Sequence, residues 1–216
     1  LNPLHSLRNT PPYHISPYAP DSRLYLNELY IDLERLPEFY GSEKAQQLFH
    51  TPDFQATLQT LRESRQVDYG AIATAKRTML ELTYQQFLSE AYSGEEPTLQ
   101  PKRASALLFE QFIRSEGAPL EAYATFQTLE EERRLIQSKS TTWHDWPTQF
   151  LTPGPPAREY AKRHRKRIRF FQYIQWVARE QLNEVRQMAE QLAMPIGLYH
   201  DLALGADRNG AEAWIY

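Results

Sequence analysis

"REYAKRHRKRIRFFQYIQWVAREQLNEVRQMAEQLA", residues 158–193, contains neither proline nor glycine. Two prolines, Pro155 and Pro156, precede it, and Pro195 follows it. Because proline suits the first turn of a helix but not its interior, this spacing predicts one uninterrupted helix of about 37 residues, or roughly 55 Å. The first third of the segment is basic and polar, whereas Phe170 to Val185 carries an apolar stripe at helical spacing.

Shorter helices are predicted upstream of this segment. All but the one that starts at Ala104 begin at residue types favoured at helix N-termini, and most show apolar side chains at i, i+3 and i+4. The predicted helices run from Ser42 to about Phe49, from Pro52 to about Ser64, from Asp68 to a break at residues 93–97, from Ala104 to Arg114 ahead of Gly117, and from Pro119 to about Ile136. A polar, proline-rich loop is predicted from Thr141 to Pro156.

The two ends of the chain lack helical patterning. Five prolines between residues 3 and 20 exclude a regular helix or central strand, so residues 1–23 are predicted to be a loop. The apolar runs Leu24 to Leu26 and Leu29 to Ile31 are compatible with brief strands or tight extended segments. Ile196 to Tyr199 is predicted to be a strand that ends in polar residues.

Loop and strand signals at both ends of an all-helical middle are typical of a βα barrel that carries a large insertion. Two strands cannot close a barrel, so we interpret the chain as part of a larger protein. A parallel pair by itself buries too little surface to be stable. We therefore expect a mainly α structure with little strand between residues 40 and 193, and with both ends packed on the helices.

The composition argues against several classes of function. With 24 Lys and Arg against 27 Asp and Glu, the net charge of −3 gives no overall attraction to nucleic acid or anionic membranes. No apolar run approaches the roughly 20 residues of a membrane span, and the first residues do not resemble a signal peptide. The absence of cysteine fits a reducing compartment. Metal-binding histidine spacing, a P-loop and the G-x-S-x-G motif are all missing.

Three sites are candidates for ligand binding. Tyr18, braced by prolines on both sides, suits a platform for a sugar ring or base; a loop tyrosine packed on the core is the alternative. Asp201 follows a predicted strand, where α/β barrels place their chemistry; a cap or turn is the alternative. For Trp143 and Trp146, the pattern favours a loop anchored by two indoles over a carbohydrate platform.

The segment Arg158 to Arg169 carries seven Lys or Arg side chains. Such a density of positive charge is typical of a face that meets nucleic acid or an acidic protein. Stacking aromatics are missing from the run, and glutamates lie nearby, so a solvated helix face is the favoured interpretation.

Longer motifs occupy both ends of the chain. Near the start are NPLHSL (2–7), SPYAPDSR (16–23) and LNELYID (26–32), and near the far end are YIQW (173–176), MPIGLYHDLALG (194–205) and AEAW (211–214). In this order they resemble the 4-α-glucanotransferases, the amylomaltases and bacterial disproportionating enzymes; residues 40–150 match only loosely. The chain departs from the family at Ala19 and Asp21, where serine is usual, at Glu28, where proline is usual, and at residues 204–206.

The resemblance implies a mainly α chain made of a helical insertion subdomain and a fragment of a (β/α)8 TIM barrel. Residues 1–39 would supply the end of barrel strand two and a substrate-cleft loop. Residues 40–155 would form the helical insertion subdomain. Residues 156–216 would supply the long barrel helix, strand three and the following loop.

The resemblance also implies roles for individual residues. Tyr18 matches the family tyrosine that packs beside the glucose next to the scissile bond, and Asp201 matches an aspartate close to the same subsite. His5, Ser16 and Trp214 are expected to contact substrate as well. The family's three catalytic carboxylates lie beyond strand three, so no catalytic residue is expected in this chain. No metal or organic cofactor is implied.

The predicted activity of the parent protein is the transfer of α-1,4-glucan segments between maltooligosaccharides by retaining double displacement, in the cytoplasm and without a nucleic-acid or membrane partner. Retaining chemistry needs two carboxyl groups about 5–5.5 Å apart, so this part by itself is expected to be inactive. The alternative is a helical binding module whose basic helix, residues 158–169, contacts nucleic acid or an acidic protein.

Overall fold

Helices dominate the part of the chain that the computed structural model describes, residues 1–9, 15–94, 98–136 and 142–216. The α-helices are α1 (Pro37–Gly41), α2 (Glu43–Phe49), α3 (Pro52–Glu63), α4 (Tyr69–Ala91), α5 (Ala104–Ile136), α6 (Pro155–Arg163), α7 (Arg165–Gln191) and α8 (Ala211–Ile215). Single turns of 3₁₀ helix lie at Glu28–Tyr30, Leu33–Arg35, Trp143–Asp145 and Thr148–Phe150. No helix among these residues is both long enough and apolar enough to cross a membrane.

The strands in the described residues are short. Strand β1 (His5–Ser6) pairs with β2 (Ser22–Leu26), and β3 (Tyr92–Ser93) pairs with β4 (Gln100–Pro101), both antiparallel. The prediction of a mainly α chain with little strand is therefore confirmed. The predicted loop positions 10–14, the break at 95–97 and Thr141 lie outside the described residues.

Side-chain caps set the starts of two predicted helices. Ser42 Oγ accepts a hydrogen bond from the Ala45 N–H at 3.2 Å, and Asp68 Oδ1 accepts one from the Ala71 N–H at 2.9 Å. Each cap satisfies an amide that has no partner within its own helix. The helix predicted to open at Pro52 also begins there. These local signals act within three residues, which is why the sequence reveals them.

The predicted long helix is interrupted at His164, so the expectation of one continuous helix is wrong at this point. The backbone of His164 has φ −105° and ψ 25°, outside the helical region, and it separates α6 from α7. The imidazole Nδ1 lies 2.9 Å from the Tyr160 carbonyl oxygen, and its ring stacks on the Tyr160 ring at 3.8 Å. The Tyr160 carbonyl oxygen also accepts the His164 N–H at 3.0 Å, so His164 closes the last turn of α6 as its C-cap.

Helix α7 supplies the centre of the hydrophobic core. The fully buried Tyr173 ring contacts Phe87 of α4 at 5.0 Å and Phe109 of α5 at 6.1 Å between centroids. Trp176 contacts both phenylalanines at 5.4 Å. Large aromatic side chains bury more apolar surface than other residues, so this cluster holds the three longest helices together.

The two chain ends meet beside this core. The Leu1 amino group donates to the Tyr199 carbonyl at 2.8 Å, and the Asp201 N–H donates to the Leu1 carbonyl at 3.2 Å. These two bonds around His200 are the pattern of a parallel strand pair. The strand predicted at Ile196 to Tyr199 does not form, because Gly197 within this run has a φ of 70°, outside the extended region that a strand requires.

A buried guanidinium ties the ends to the helical middle. Arg8, which follows β1, donates from Nη1 to Glu130 of α5 at 3.1 Å and from Nη2 to Asp207 near the C-terminus at 2.5 Å. All three side chains are at most 8% exposed. Removing one partner of such a buried group leaves an uncompensated charge, so the cluster strongly favours this arrangement of the ends.

Asp21 lies next to this cluster and is buried. Its Oδ1 accepts the Ala211 N–H at 2.8 Å, and its Oδ2 accepts from Gln127 Nε2 at 2.6 Å. Burial raises the pKa of Asp21 to about 7, and the nearby Glu130 carboxylate acts in the same direction, whereas Arg8 and the two hydrogen bonds oppose the rise. Asp21, a position at which serine is expected from the resemblance, therefore lies in the core.

Gly117→Ala is expected to destabilise the chain by about 1–3 kcal/mol, because the φ of 60° and ψ of −139° inside α5 are open essentially only to glycine. No heavy atom lies within 4 Å of the added Cβ, so the effect isolates backbone strain. Gly205→Ala is the matched control: it also has open space around its Cβ but no positive φ. Urea unfolding followed by circular dichroism measures both, and equal free energies of unfolding would contradict the prediction.

Asp21→Asn is expected to remove a pH dependence of stability. Between the ordinary pKa of 3.8 and the folded value of about 7, the unfolded chain releases a proton that the folded chain retains, so rising pH favours unfolding. The wild type should therefore lose stability relative to Asp21→Asn as the pH rises through this window. Urea unfolding at several pH values tests this, with the exposed Asp53→Asn as control. A stability difference that does not change with pH would contradict it.

Candidate functional site

Two residues predicted to bind substrate lie in contact although 183 positions separate them. The Tyr18 hydroxyl donates a hydrogen bond to Asp201 Oδ2 at 2.9 Å. This bond is the main cause of a raised pKa of Tyr18, because ionisation of the phenol would remove the donated proton. The ring of Tyr18 is 58% exposed, so an aromatic face and a carboxylate are presented to solvent side by side.

A tight turn holds Tyr18 in this exposed position. The Ala19 N–H donates to the Ser16 carbonyl at 3.1 Å, and the Tyr18 N–H donates to Ser16 Oγ at 3.3 Å. Pro17 between them restricts the backbone further. Ser16, which is predicted to contact substrate, thus accepts both hydrogen bonds that stabilise the turn, and it is also exposed to solvent.

His5 lies behind Asp201. Its Nε2 accepts a hydrogen bond from the Ala203 N–H at 3.3 Å. Burial lowers the pKa of His5 below 6.5; a hydrogen bond with the Arg23 backbone and the Glu212 and Asp201 carboxylates oppose the shift, and the Arg23 charge adds to it. A neutral imidazole is thus favoured at this position.

Arg23 and Glu212 form an ion pair at the base of the same surface. The Arg23 backbone N–H donates to Glu212 Oε2 at 2.7 Å, its Nε donates to Oε1 at 2.8 Å, and its Nη2 also bonds to Oε1. Arg23 Nη1 donates to the Leu204 carbonyl at 3.1 Å. Burial acts to raise the pKa of Glu212, but the bonds from Arg23 outweigh it and lower this pKa. We refer to Tyr18, Asp201, His5, Arg23 and Glu212 together as the rim.

Arg23 and Glu212 were not predicted as site residues. Both lie inside motifs that mark the family, SPYAPDSR and AEAW. A charged residue in such a motif is equally compatible with an exposed position, and no local pattern connects two positions 189 residues apart.

The structure places Trp214 in the core, in contrast to the substrate contact expected from the resemblance. Its indole N–H donates to the Phe150 carbonyl at 2.7 Å, and its ring contacts Phe126 at 5.7 Å and Trp146 at 6.2 Å. Only 3% of Trp214 is exposed. Trp146 is buried in the same cluster, which agrees with the interpretation of a loop anchored by its indoles.

The basic segment 158–169 is paired with acidic side chains at its far end. Arg169 is buried and donates to Glu110 at 2.6 Å, and Arg167 contacts Glu81 at 2.8 Å and also bonds to Glu131. Earlier in the segment, Lys162 lies 3.7 Å from Glu159, one helical turn away. These pairs support the favoured interpretation, a solvated helix face whose inner side carries structural ion pairs.

The rim offers hydrogen-bond donors, acceptors and one exposed aromatic face. This combination suits a polyhydroxylated ring, which has apolar C–H faces and hydroxyls around its edge. In the described residues, no group of three or more His, Asp or Glu side chains is arranged to hold a metal ion.

Comparisons with known proteins agree on one family. The sequence model of 4-alpha-glucanotransferase matches residues 1–216. A 4-alpha-glucanotransferase from Haemophilus influenzae is 33% identical over 218 residues, which is 99% of this chain but 30% of the relative. Another from Mycobacterium bovis is 28% identical over 99% of this chain and 28% of its own length. The chain therefore spans less than a third of the length of these two relatives.

Solved structures share the fold. Amylomaltase from Corynebacterium glutamicum superposes on 98% of this chain with a TM-score of 0.64 and 25% identity, using 26% of its own length. Amylomaltase from Streptococcus agalactiae, solved in complex with acarbose, superposes on 99% of this chain with a TM-score of 0.69 and 17% identity, using 37% of its length. Because the match to the family model extends over residues 1–216, the chain belongs to the 4-alpha-glucanotransferase family.

Proposed function

We propose that the complete protein to which this chain belongs transfers α-1,4-glucan segments between maltooligosaccharides by a retaining double-displacement mechanism. Family membership over residues 1–216 supports the proposal. The observation that carries it is the hydrogen bond from the Tyr18 hydroxyl to Asp201, which joins an exposed aromatic ring and a carboxylate. The alternative, a helical module that contacts nucleic acid or an acidic protein through residues 158–169, is not supported, because this basic segment is partly engaged in internal ion pairs.

In this proposal the rim holds one glucose unit of the glucan. The Tyr18 ring covers an apolar face of the sugar, and the Asp201 carboxylate accepts from its hydroxyls. Because an ionised carboxylate has about four lone-pair sites, the bond from Tyr18 orients Asp201 without exhausting its capacity to accept. Ser16 and His5 hold the two segments that carry these side chains, and Trp214 supports the rim from the core.

The chemical step requires a nucleophilic carboxylate and an acid/base carboxyl about 5–5.5 Å apart. The nucleophile displaces the leaving glucan from the anomeric carbon while the acid protonates the leaving oxygen. The 4-hydroxyl of an acceptor glucan then attacks the glycosyl–enzyme bond and gives its proton to the same acid/base group. We assign this pair to the remainder of the protein, and neither displacement needs a metal or organic cofactor.

We also propose the division of the chain. Residues 1–39 and 156–216 belong to the barrel, as the end of strand two with its cleft loop and as the long helix with strand three. Residues 40–155 are the helical insertion. The parallel pattern of bonds between Leu1 and residues 199–201 supports this division, since it pairs the two segments assigned to neighbouring strands. The cysteine-free composition supports a cytoplasmic location.

Tyr18→Ala in the complete protein is expected to lower kcat/KM for maltotriose. The loss corresponds to about 1–3 kcal/mol of transition-state stabilisation, because the ring no longer stacks on the sugar and the hydroxyl no longer forms its hydrogen bond. Tyr18→Phe removes the hydrogen bond alone and should cost less. Tyr40→Ala, at an exposed position on α1, is the control and should leave kcat/KM unchanged. Steady-state assay of glucose release measures all three. Equal values for Tyr18→Ala and wild type would show that Tyr18 does not contact substrate.

The 216-residue chain alone is expected to be inactive in maltotriose disproportionation, and the complete protein active. The chain holds the proposed glucan-binding rim but not the paired catalytic carboxylates. Chromatography of maltotriose incubated with each protein distinguishes the two. If the pure 216-residue chain produces glucose and longer oligomers, the assignment of the catalytic pair to the rest of the protein is contradicted. If the complete protein produces neither, the proposed function is contradicted.

A further inference from the structure

We propose that His5 is a positioning residue that holds Asp201 in place opposite Tyr18 by accepting a hydrogen bond from the Ala203 amide, and that it does so only as the neutral imidazole. The inference rests on the proposed function, because it concerns the residues to which glucan binding is assigned. His5 does not touch the ligand in this proposal; it acts through the segment 201–204, which we call the Asp201 loop.

The Asp201 loop has no regular secondary structure and depends on a few bonds for its position. The Asp201 N–H donates to Leu1, the Ala203 N–H donates to His5 Nε2, and the Leu204 carbonyl accepts from Arg23 Nη1. Between them, the Ala203 methyl group is fully buried, whereas Leu202 and Leu204 on either side are 62% and 94% exposed. Little apolar packing therefore holds the loop, and the hydrogen bonds decide where the Asp201 carboxylate lies.

The bond from Ala203 requires one protonation state of His5. Nε2 accepts this bond, so the ring carries its proton on Nδ1 when neutral. A second proton on Nε2 would turn the acceptor into a donor that faces the Ala203 N–H. Protonation therefore breaks the contact and sets two N–H groups against each other.

The surroundings of His5 favour the neutral ring over the charged one. Burial and the Arg23 guanidinium disfavour the imidazolium, while the Arg23 backbone and the carboxylates of Glu212 and Asp201 favour it, and the net effect is a lowered pKa. The folded chain thus resists protonation more than the unfolded chain, whose histidine has a pKa near 6.5. The contact is complete above that pH and is lost as the pH falls through the lower folded value.

Two substitutions separate the hydrogen bond from the charge. His5→Gln offers an amide oxygen that accepts from Ala203 but does not titrate, whereas His5→Ala removes the acceptor. His50→Ala, at an exposed histidine that follows α2, is the matched control.

The first experiment measures amide hydrogen exchange at Ala203 by NMR on the 216-residue chain. Exchange is corrected for the pH dependence of its intrinsic rate. The protection factors are compared between pH 7.5 and a lower pH at which the imidazole C–H shifts show His5 to be protonated. We expect protection of the Ala203 amide to fall about tenfold between these two pH values in the wild type, to be low at both in His5→Ala, and to stay high at both in His5→Gln. Unchanged protection in His5→Ala, or a fall in His5→Gln equal to that of the wild type, would overturn the inference.

The second experiment measures kcat/KM for maltotriose against pH in the complete protein. We expect the acid limb to lie at lower pH in His5→Gln than in the wild type, and His5→Ala to be impaired about tenfold at neutral pH while His50→Ala is not. If hydrogen exchange at Ala203 behaves as expected but the pH profiles of kcat/KM are the same in all variants, the positioning role is refuted. Glucan binding by the rim would not be contradicted by that result. A wild-type protein without transferase activity would refute the proposed function instead, and the exchange results would still report on the contact itself.

Discussion

The buried Arg8 guanidinium is the interaction on which the arrangement of the rim depends. It contacts Glu130 of α5 and Asp207 near the C-terminus at the same time, so one side chain connects the first residues, the helical middle and the last residues. Desolvating a guanidinium is costly unless each charge meets a partner. The chain ends have little regular structure of their own, and an arrangement that separated them from α5 would leave this charge unmatched.

The helical core and the rim perform different tasks. Helices α4, α5 and α7 bury an aromatic cluster around Tyr173 and form a rigid support. The rim residues lie on loops, on short strands and at the start of α8, and these segments are fastened to that support through Arg8, Asp21 and Trp214. This division is common in proteins, because loops accept variable polar side chains while the scaffold holds their geometry.

Two buried acids connect the chain ends to the helices. The Asp21 carboxyl accepts from Gln127 and the Ala211 amide, which fastens α8 beneath the rim. The Glu28 carboxylate bonds to Arg77 of α4 at 2.5 Å. Serine and proline are expected at these two positions from the resemblance, and the structure gives each acid polar partners, so neither is buried without hydrogen bonds.

The amino-acid sequence alone determined most of the helices, though not the interruption at His164, and it identified the family. Ser42 and Asp68 cap helices through contacts three residues away, and Gly117 divides α5 through its own φ and ψ, so these features depend on neighbours along the chain. Tertiary structure alone decided the contacts that form the rim. Tyr18 contacts Asp201, His5 contacts Ala203 and Arg23 contacts Glu212 across 183 to 198 positions. Trp214 lies in a family motif, yet the fold buries it in the core. The physical reason is range: caps and periodicity act within one or two turns, whereas these contacts arise only after the aromatic core and the Arg8 cluster have brought the two ends together.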